Sequence, residues 1–178
     1  GAHNSFFSLM SPRLRGWHEM EKAELFGPNV SKIVCVSPRS LDELKALYAF
    51  PHHESLALCP PGYGLERISE TSKKGIESEE RQINIGFVGR EWKRKGLCLA
   101  YQVLNQMLKA TSDNVILHIF GPIPSELPRL IRNSSSVICY GDIPVIPWHE
   151  LDVIIHPALA EPFGMVVAEA RAHGVPVA

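Results

Sequence analysis

The chain has 178 residues, enough for one domain or for one domain and part of another. With 45% hydrophobic and 21% charged residues it has the composition of an ordinary soluble globular protein. A formal net charge of −1 argues against nucleic-acid binding by bulk electrostatics, and no apolar run approaches the roughly 18 residues of a membrane helix.

Residues 16–26 combine helix formers with charge and end at Gly27-Pro28, so the first element reads as a helix. Lys32 to Val36 is a short β-branched strand. Ser37-Pro38 then predicts a helix start, with serine as the N-cap and proline in the first helical position. Leu41, Leu44, Leu47 and Tyr48 continue it at helical spacing, and Pro51 closes it. A second short apolar run, Leu56 to Cys59, meets the turn Pro60-Pro61-Gly62-Tyr63-Gly64. From residue 66 to residue 81 the sequence turns polar and highly charged, which suits a linker. Three regions are therefore expected: 1–65 as the tail of one domain and a crossover, 66–81 as the linker, and 82–178 as a second domain.

In that second domain Ile83–Val88, Val115–Phe120, Val137–Tyr140 and Leu151–Ile155 read as strands, and Val175 to Ala178 opens another. Helices are expected on the stripe Leu97, Tyr101, Leu104, Leu108, over Glu126 to Arg132, and over Met165 to Ala172. Strands alternating with helices at this spacing predict an α/β fold, a Rossmann-like parallel sheet with helices on both faces. Gly1 is not a translation start and Ala178 stops within an opening strand, so the chain reads as a fragment truncated at its C-terminus.

In an open parallel sheet, ligands bind at the loops that follow the strands' carboxyl ends. After Val88 come Gly89-Arg90-Glu91-Trp92-Lys93-Arg94-Lys95-Gly96, where Arg90 and Lys95 flank a loop that opens into a helix. A run such as Lys93-Arg94-Lys95 is, by itself, a solvated charge run. Its place between a strand and a helix makes it a candidate phosphate site. After Ile155 the chain reaches Glu161-Pro162-Phe163-Gly164-Met165-Val166-Val167-Ala168-Glu169. One carboxylate lies just ahead of a helix and another in its first turns, with unsatisfied backbone N–H groups between. A ligand with several hydroxyls and a negative group, such as a phosphorylated sugar, suits that chemistry.

The cysteines at 35, 59, 98 and 139 form no C-x-x-C pair, which favours a reduced, cytoplasmic protein over a disulfide scaffold or zinc site. None of the eight histidines stands at i, i+4 from another, so no metal site is expected.

Taken together, Gly89-Arg90 with Lys95-Gly96, Leu117-His118-Ile119-Phe120-Gly121, Glu161-Pro162-Phe163-Gly164 with Glu169-Ala170, and Gly174-Val175-Pro176-Val177 resemble the GT-B retaining glycosyltransferases of family 4. The resemblance is close over 82–178 and looser at Ser37-Pro38 and Pro60-Pro61-Gly62. It implies a donor-binding half of a GT-B enzyme that moves a sugar from a nucleotide diphosphate donor to an acceptor hydroxyl with retention. By the same resemblance, Arg90 and Lys95 match the pair that clamps the donor diphosphate. Glu161 matches the glutamate at the transferred sugar, the candidate catalytic group. Phe163, Gly164 and Met165 match the turn whose amides reach sugar and phosphate, and Glu169 the glutamate that holds the ribose. No cofactor and no divalent metal are implied, and the chain has no Asp-x-Asp. The implied partners are the donor and a glycan, lipid or small-molecule acceptor held by the other domain; nothing indicates peripheral membrane contact. Two features depart from the family's habit: Ala158 stands where a serine is common, and Gly62-Tyr63-Gly64-Leu65 lacks the frequent aspartate. A nucleotide-sugar epimerase of the same fold, or a non-catalytic nucleotide-binding or interaction module, remain the alternatives.

Overall fold

The computed structural model describes residues 12–48, 55–62, 82–159 and 161–178. The linker expected over 66–81 lies outside them. The chain divides into two compact units, Gly1–Pro60 and Pro61–Ala178.

The first unit holds helix α1 (Pro12–Leu25), strand β1 (Ile33–Cys35), helix α2 (Pro38–Leu47) and strand β2 (Leu56–Leu58). The first helix starts earlier than the expected residue 16, because Pro12 is well suited to a first turn. At α2 the Ser37 side chain accepts the Ser40 backbone N–H at 3.1 Å, and Pro38 opens the helix. The helix ends at Leu47, with Tyr48 extended. β1 and β2 pair in parallel, from Ile33 opposite Leu56 to Cys35 opposite Leu58. Tyr48 is buried and its hydroxyl donates to Glu21 Oε2 at 2.5 Å, tying α1 to the end of α2. Burial first, then the Glu21 hydrogen bond and charge, push its phenol up to about 12, so it stays a donor at neutral pH.

The second unit contains β3 (Gln82–Val88), α3 (Leu97–Ala110), β4 (Asn114–Phe120), α4 (Arg129–Arg132), β5 (Val137–Gly141), β6 (Val153–Ile154) and α5 (Met165–Ala172). All described pairings in its sheet are parallel, and the strands run in the order β5-β4-β3-β6. Alternation along each strand feeds two apolar layers. Ile85 and Phe87 of β3, with Val115, Leu117 and Ile119 of β4, pack under Leu97, Ala100, Tyr101 and Leu104 of α3. On the opposite face Phe120, Trp148, Leu151, Ile154, Ala170 and Val175 form a second cluster. Both faces are covered, which accounts for the nearly continuous apolar strands. Leu108, expected on the buried stripe of α3, is instead 37% exposed, and Ala100 is buried.

Three expected elements differ. The helix expected over 126–132 is split into a 3₁₀ turn, Pro124–Glu126, and the single-turn α4. Pro128 is the cause: it disfavours helical backbone at Leu127, which is extended. The strand expected over 151–155 shrinks to Val153–Ile154. There the Asp152 carboxylate takes the Asn84 N–H at 2.9 Å, a bond that a strand carbonyl would otherwise make. Val175 to Ala178 contributes a bridge between Val177 and Ile154.

His118 is buried in the sheet and fully engaged, with Nδ1 3.0 Å from the Tyr140 hydroxyl and Nε2 3.0 Å from Asn84 Oδ1. Burial holds its pKa below the usual histidine range, against a weaker opposing pull from Glu150. The unfolded chain therefore binds a proton here that the fold does not, once pH drops below about 6.5. Stability should fall as pH drops through that value and level off below the folded pKa. Urea midpoints at descending pH check this, and His118→Gln should make the profile shallower, leaving the part due to His156, which burial also pushes down; an unchanged midpoint in the parent protein contradicts it.

Candidate functional site

β3 is followed in the chain by β4 and β5 on one side of it, and β6 then returns to the other side. The order therefore reverses between β3 and β6, the switch point at which a parallel sheet opens a crevice beyond its strand ends. Two loops border that crevice: 89–96, after β3, and 155–164, after β6.

The first loop is held by backbone bonds from Lys95 N–H to Glu91 O and from Leu97 N–H to Trp92 O, both 2.9 Å. Trp92 packs against the core beneath α3 and anchors it. Gly96 closes the loop at φ 79°, a conformation side chains resist. A Cβ built there would stand 2.5 Å from the Pro157 carbonyl oxygen. The glycine thus lets the β3 loop come into backbone contact with the β6 loop. The Lys95 stem lies over Gly89, whose added Cβ would be 3.1 Å from Lys95 Cγ.

From that position the Lys95 ammonium pairs with Oε2 of Glu161, and both side chains are largely buried. Arg94 Nη1 stands 3.5 Å from the same oxygen and His156 Nε2 3.9 Å from it. Burial alone would push the Glu161 carboxyl up. The Lys95 hydrogen bond and the charges of Lys95, Arg94 and His156 together outweigh it and hold the pKa below the usual carboxylate range. Glu161 is therefore an anion at neutral pH. His156 is pushed down, first by burial and then by the Lys95 cation, so its ring is neutral there. Its Nε2 is buried and has no hydrogen-bond partner among the described residues. A buried nitrogen left in that state costs on the order of 1–3 kcal/mol.

Helices α3 and α5 both begin beside this cluster, and both have a left-handed glycine as N-cap with no side-chain cap: Gly96 and Gly164. At α3 the Leu97 N–H goes to Trp92 O and the Leu99 N–H to Gly96 O, and at α5 the Val167 N–H goes to Gly164 O. The dipole of each helix start still favours anions and polar oxygens. An added Cβ on Gly164 would be 3.5 Å from Glu161 Cγ, so the glutamate side chain lies between Lys95 and the start of α5.

Of the expected site residues, the structure joins Lys95 and Glu161 directly, with Gly164 against the latter. Met165 is the first residue of α5 and Phe163 is exposed just before it. Glu169 stands half-buried on α5; burial pushes its carboxyl up, His173 pulls the other way, and it makes no ion pair among the described residues. Arg90 turns to the other side of β3 and pairs with Asp142, beyond β5, with Nε 3.3 Å from Oδ1. That pair is largely exposed, so solvent and salt leave it weak and easily exchanged. No sequence pattern marks Asp142 or His156 as a site residue, and Arg94 enters one only as part of the run Lys93-Arg94-Lys95. The one hint at His156 is a lone polar residue between an apolar strand and a proline.

No group of three metal-binding side chains occurs among the described residues. Nor is any described helix long and apolar enough to cross a membrane.

Residues 82–178 match the family described as glycosyl transferases group 1. The chain belongs to that family. The Lys95–Glu161 contact and both glycine-capped helices fall inside the matched region, which is also the region of the parallel sheet. Among curated relatives, an uncharacterized 41.2 kDa protein in the cps region of Klebsiella pneumoniae is 35% identical over 118 residues, 64% of this chain and 31% of that protein. A D-inositol 3-phosphate glycosyltransferase of Corynebacterium kroppenstedtii is 27% identical over 172 residues, 84% of this chain and 38% of that one. The chain thus spans about a third of the length of these relatives. Among solved structures it resembles WaaG, a glycosyltransferase involved in lipopolysaccharide biosynthesis, with TM-score 0.74 at 23% identity over 94% of this chain and 49% of that one. It also resembles a sucrose-phosphate synthase of Thermosynechococcus elongatus, with TM-score 0.69 at 22% identity over 96% and 46% of the two chains. These likenesses bear out the expected fold, an α/β parallel-sheet unit of the GT-B kind.

Proposed function

We propose that the protein to which this chain belongs is a retaining glycosyltransferase that moves a sugar from a nucleotide diphosphate-sugar to an acceptor hydroxyl. In this reading the chain supplies the donor-binding half, and a glycan, lipid or small-molecule acceptor is held elsewhere. One observation carries it: a largely buried cation, Lys95, meets a largely buried carboxylate, Glu161, between two glycine-capped helix starts at the switch point of the sheet. The cation and the amides suit a diphosphate. The carboxylate suits the hydroxyls of a sugar joined to it.

Transfer breaks the bond between the anomeric carbon and the diphosphate oxygen and forms one to the acceptor oxygen, whose proton is released. Negative charge builds on the leaving diphosphate. Arg90 and Lys95 offset it, and in a crevice shielded from water that help is far larger than in solution. In this scheme side-chain cations carry the charge without a divalent metal, Glu161 touches the transferred sugar and Glu169 the ribose. The four free thiols support a reducing, cytoplasmic setting.

Incubating the full-length protein with a panel of nucleotide sugars and identifying the products tests the reading. A glycoside that keeps the donor's anomeric configuration is the expected product. Release of a free, altered sugar would indicate an epimerase instead, and nucleotide binding without turnover a non-catalytic module. Within the same scheme, Arg90→Ala should weaken nucleotide diphosphate binding roughly 10- to 100-fold, the worth of one charge-assisted hydrogen bond. Calorimetry checks it; unchanged affinity would leave Arg90 a surface residue paired only with Asp142.

A further inference from the structure

His156 is nine-tenths buried beside Glu161, and its Nε2 makes no hydrogen bond among the described residues. Glu161 Oε2 stands 3.9 Å from it, too far for a hydrogen bond. A carboxylate shift of about 1 Å would close that gap to ordinary hydrogen-bond length. Glu161 thus has three partners within reach: Lys95 is engaged, the more exposed Arg94 makes a long contact at 3.5 Å, and His156 waits. Lys95 is also the residue whose ammonium a diphosphate would draw away.

We propose that His156 is a positioning residue for Glu161: when a donor's diphosphate takes Lys95, the carboxylate passes to the His156 Nε2 proton and is held there against the sugar. This inference rests on the donor-site reading above. The physical logic is one of charge. Glu161 is a largely buried anion, and without Lys95 it keeps only the 3.5 Å contact to the more exposed Arg94, so a further donor stabilises it. The groups that bear on the His156 ring are Glu161 from its own loop and Lys95 and Arg94 from the β3 loop. With Lys95 drawn to an anionic ligand, the cation that disfavours ring protonation moves off while Glu161, which favours it, moves closer. The ring then gains basicity and takes up a proton from solvent, and a charged ring donates more strongly to the carboxylate than a neutral one.

The test follows the His156 ring by NMR in protein labelled with ¹⁵N-histidine, with UDP, GDP and ADP as probes and calorimetry in parallel to establish binding. His156→Gln assigns the signal among the eight histidines. With a bound nucleoside diphosphate, an exchange-protected Nε2 proton belonging to His156 should appear, and the ring should titrate at higher pH than in the nucleotide-free sample. Glu161→Ala should bind nucleotide and lose that proton signal, a result that does not depend on the His156 variant folding. A nucleotide that binds while the His156 ring keeps its tautomer, its exchange and its titration would overturn the positioning role alone. Absence of binding by all three probes would overturn the donor site and this role with it.

Discussion

Glu161→Gln in the full-length protein should lower kcat and kcat/KM together, by about 10²- to 10³-fold, because the contact it removes matters most as charge redistributes in the transition state. Nucleotide diphosphate affinity should not fall with it. The glutamate competes with a diphosphate for Lys95, and the amide has no charge to compete with, so affinity should hold or rise. Glu169→Gln should behave differently, weakening free nucleotide and nucleotide sugar by similar factors, since the ribose is common to both. Steady-state kinetics with calorimetry separates the two. Wild-type turnover in Glu161→Gln, together with abolished turnover at unchanged nucleotide affinity in Glu169→Gln, would reverse the assigned roles.

The largest stability effect is expected at Gly96. Left-handed backbone costs a residue with a Cβ about 1–2 kcal/mol. The added methyl would also meet the Pro157 carbonyl at 2.5 Å, a backbone atom that cannot swing aside. Crowding of that kind costs about 1–3 kcal/mol more. Gly96→Ala should therefore destabilise the second unit by about 2–5 kcal/mol, and it should part the two loops that bring Lys95 to Glu161. Gly16→Ala is the control: it is helical, exposed and has no atom within 4 Å of its would-be Cβ. It should be neutral or stabilise by about 0.5–1 kcal/mol. Thermal melts of both variants decide it, and equal melting temperatures would remove the steric argument.

The sheet of the second unit was legible because strand and helix periods differ and its apolar runs are long. β3, β4, β5, α3 and α5 all occur where the sequence put them, within a residue or two at their ends. Elements that depend on a single residue's side reaction were less legible. Pro128 cut a helix that looked continuous, and Asp152 ended a strand by offering its carboxylate in place of a carbonyl. At the site, the loops could be chosen from the sheet rule alone, and Lys95 and Glu161 were both singled out before their contact was visible. Strand order was not in the sequence pattern, so nothing there said that the loops after β3 and β6 would be neighbours. Arg90 and Lys95 were read as a pair five residues apart. The turn between them sends one toward Asp142 and the other toward Glu161. His156 was passed over because its importance lies in burial and in what it fails to bond, neither of which a linear pattern displays.

Lys95 at the β3–β6 crevice is expected to bind the diphosphate of a nucleotide donor. Titrating UDP, GDP and ADP into the protein and into Lys95→Ala by calorimetry tests it most directly. The account predicts saturable binding of at least one nucleotide by the parent protein, weakened roughly 10- to 100-fold in the variant. Binding that is equally tight in both proteins, or no binding of any of the three by the parent, would contradict it.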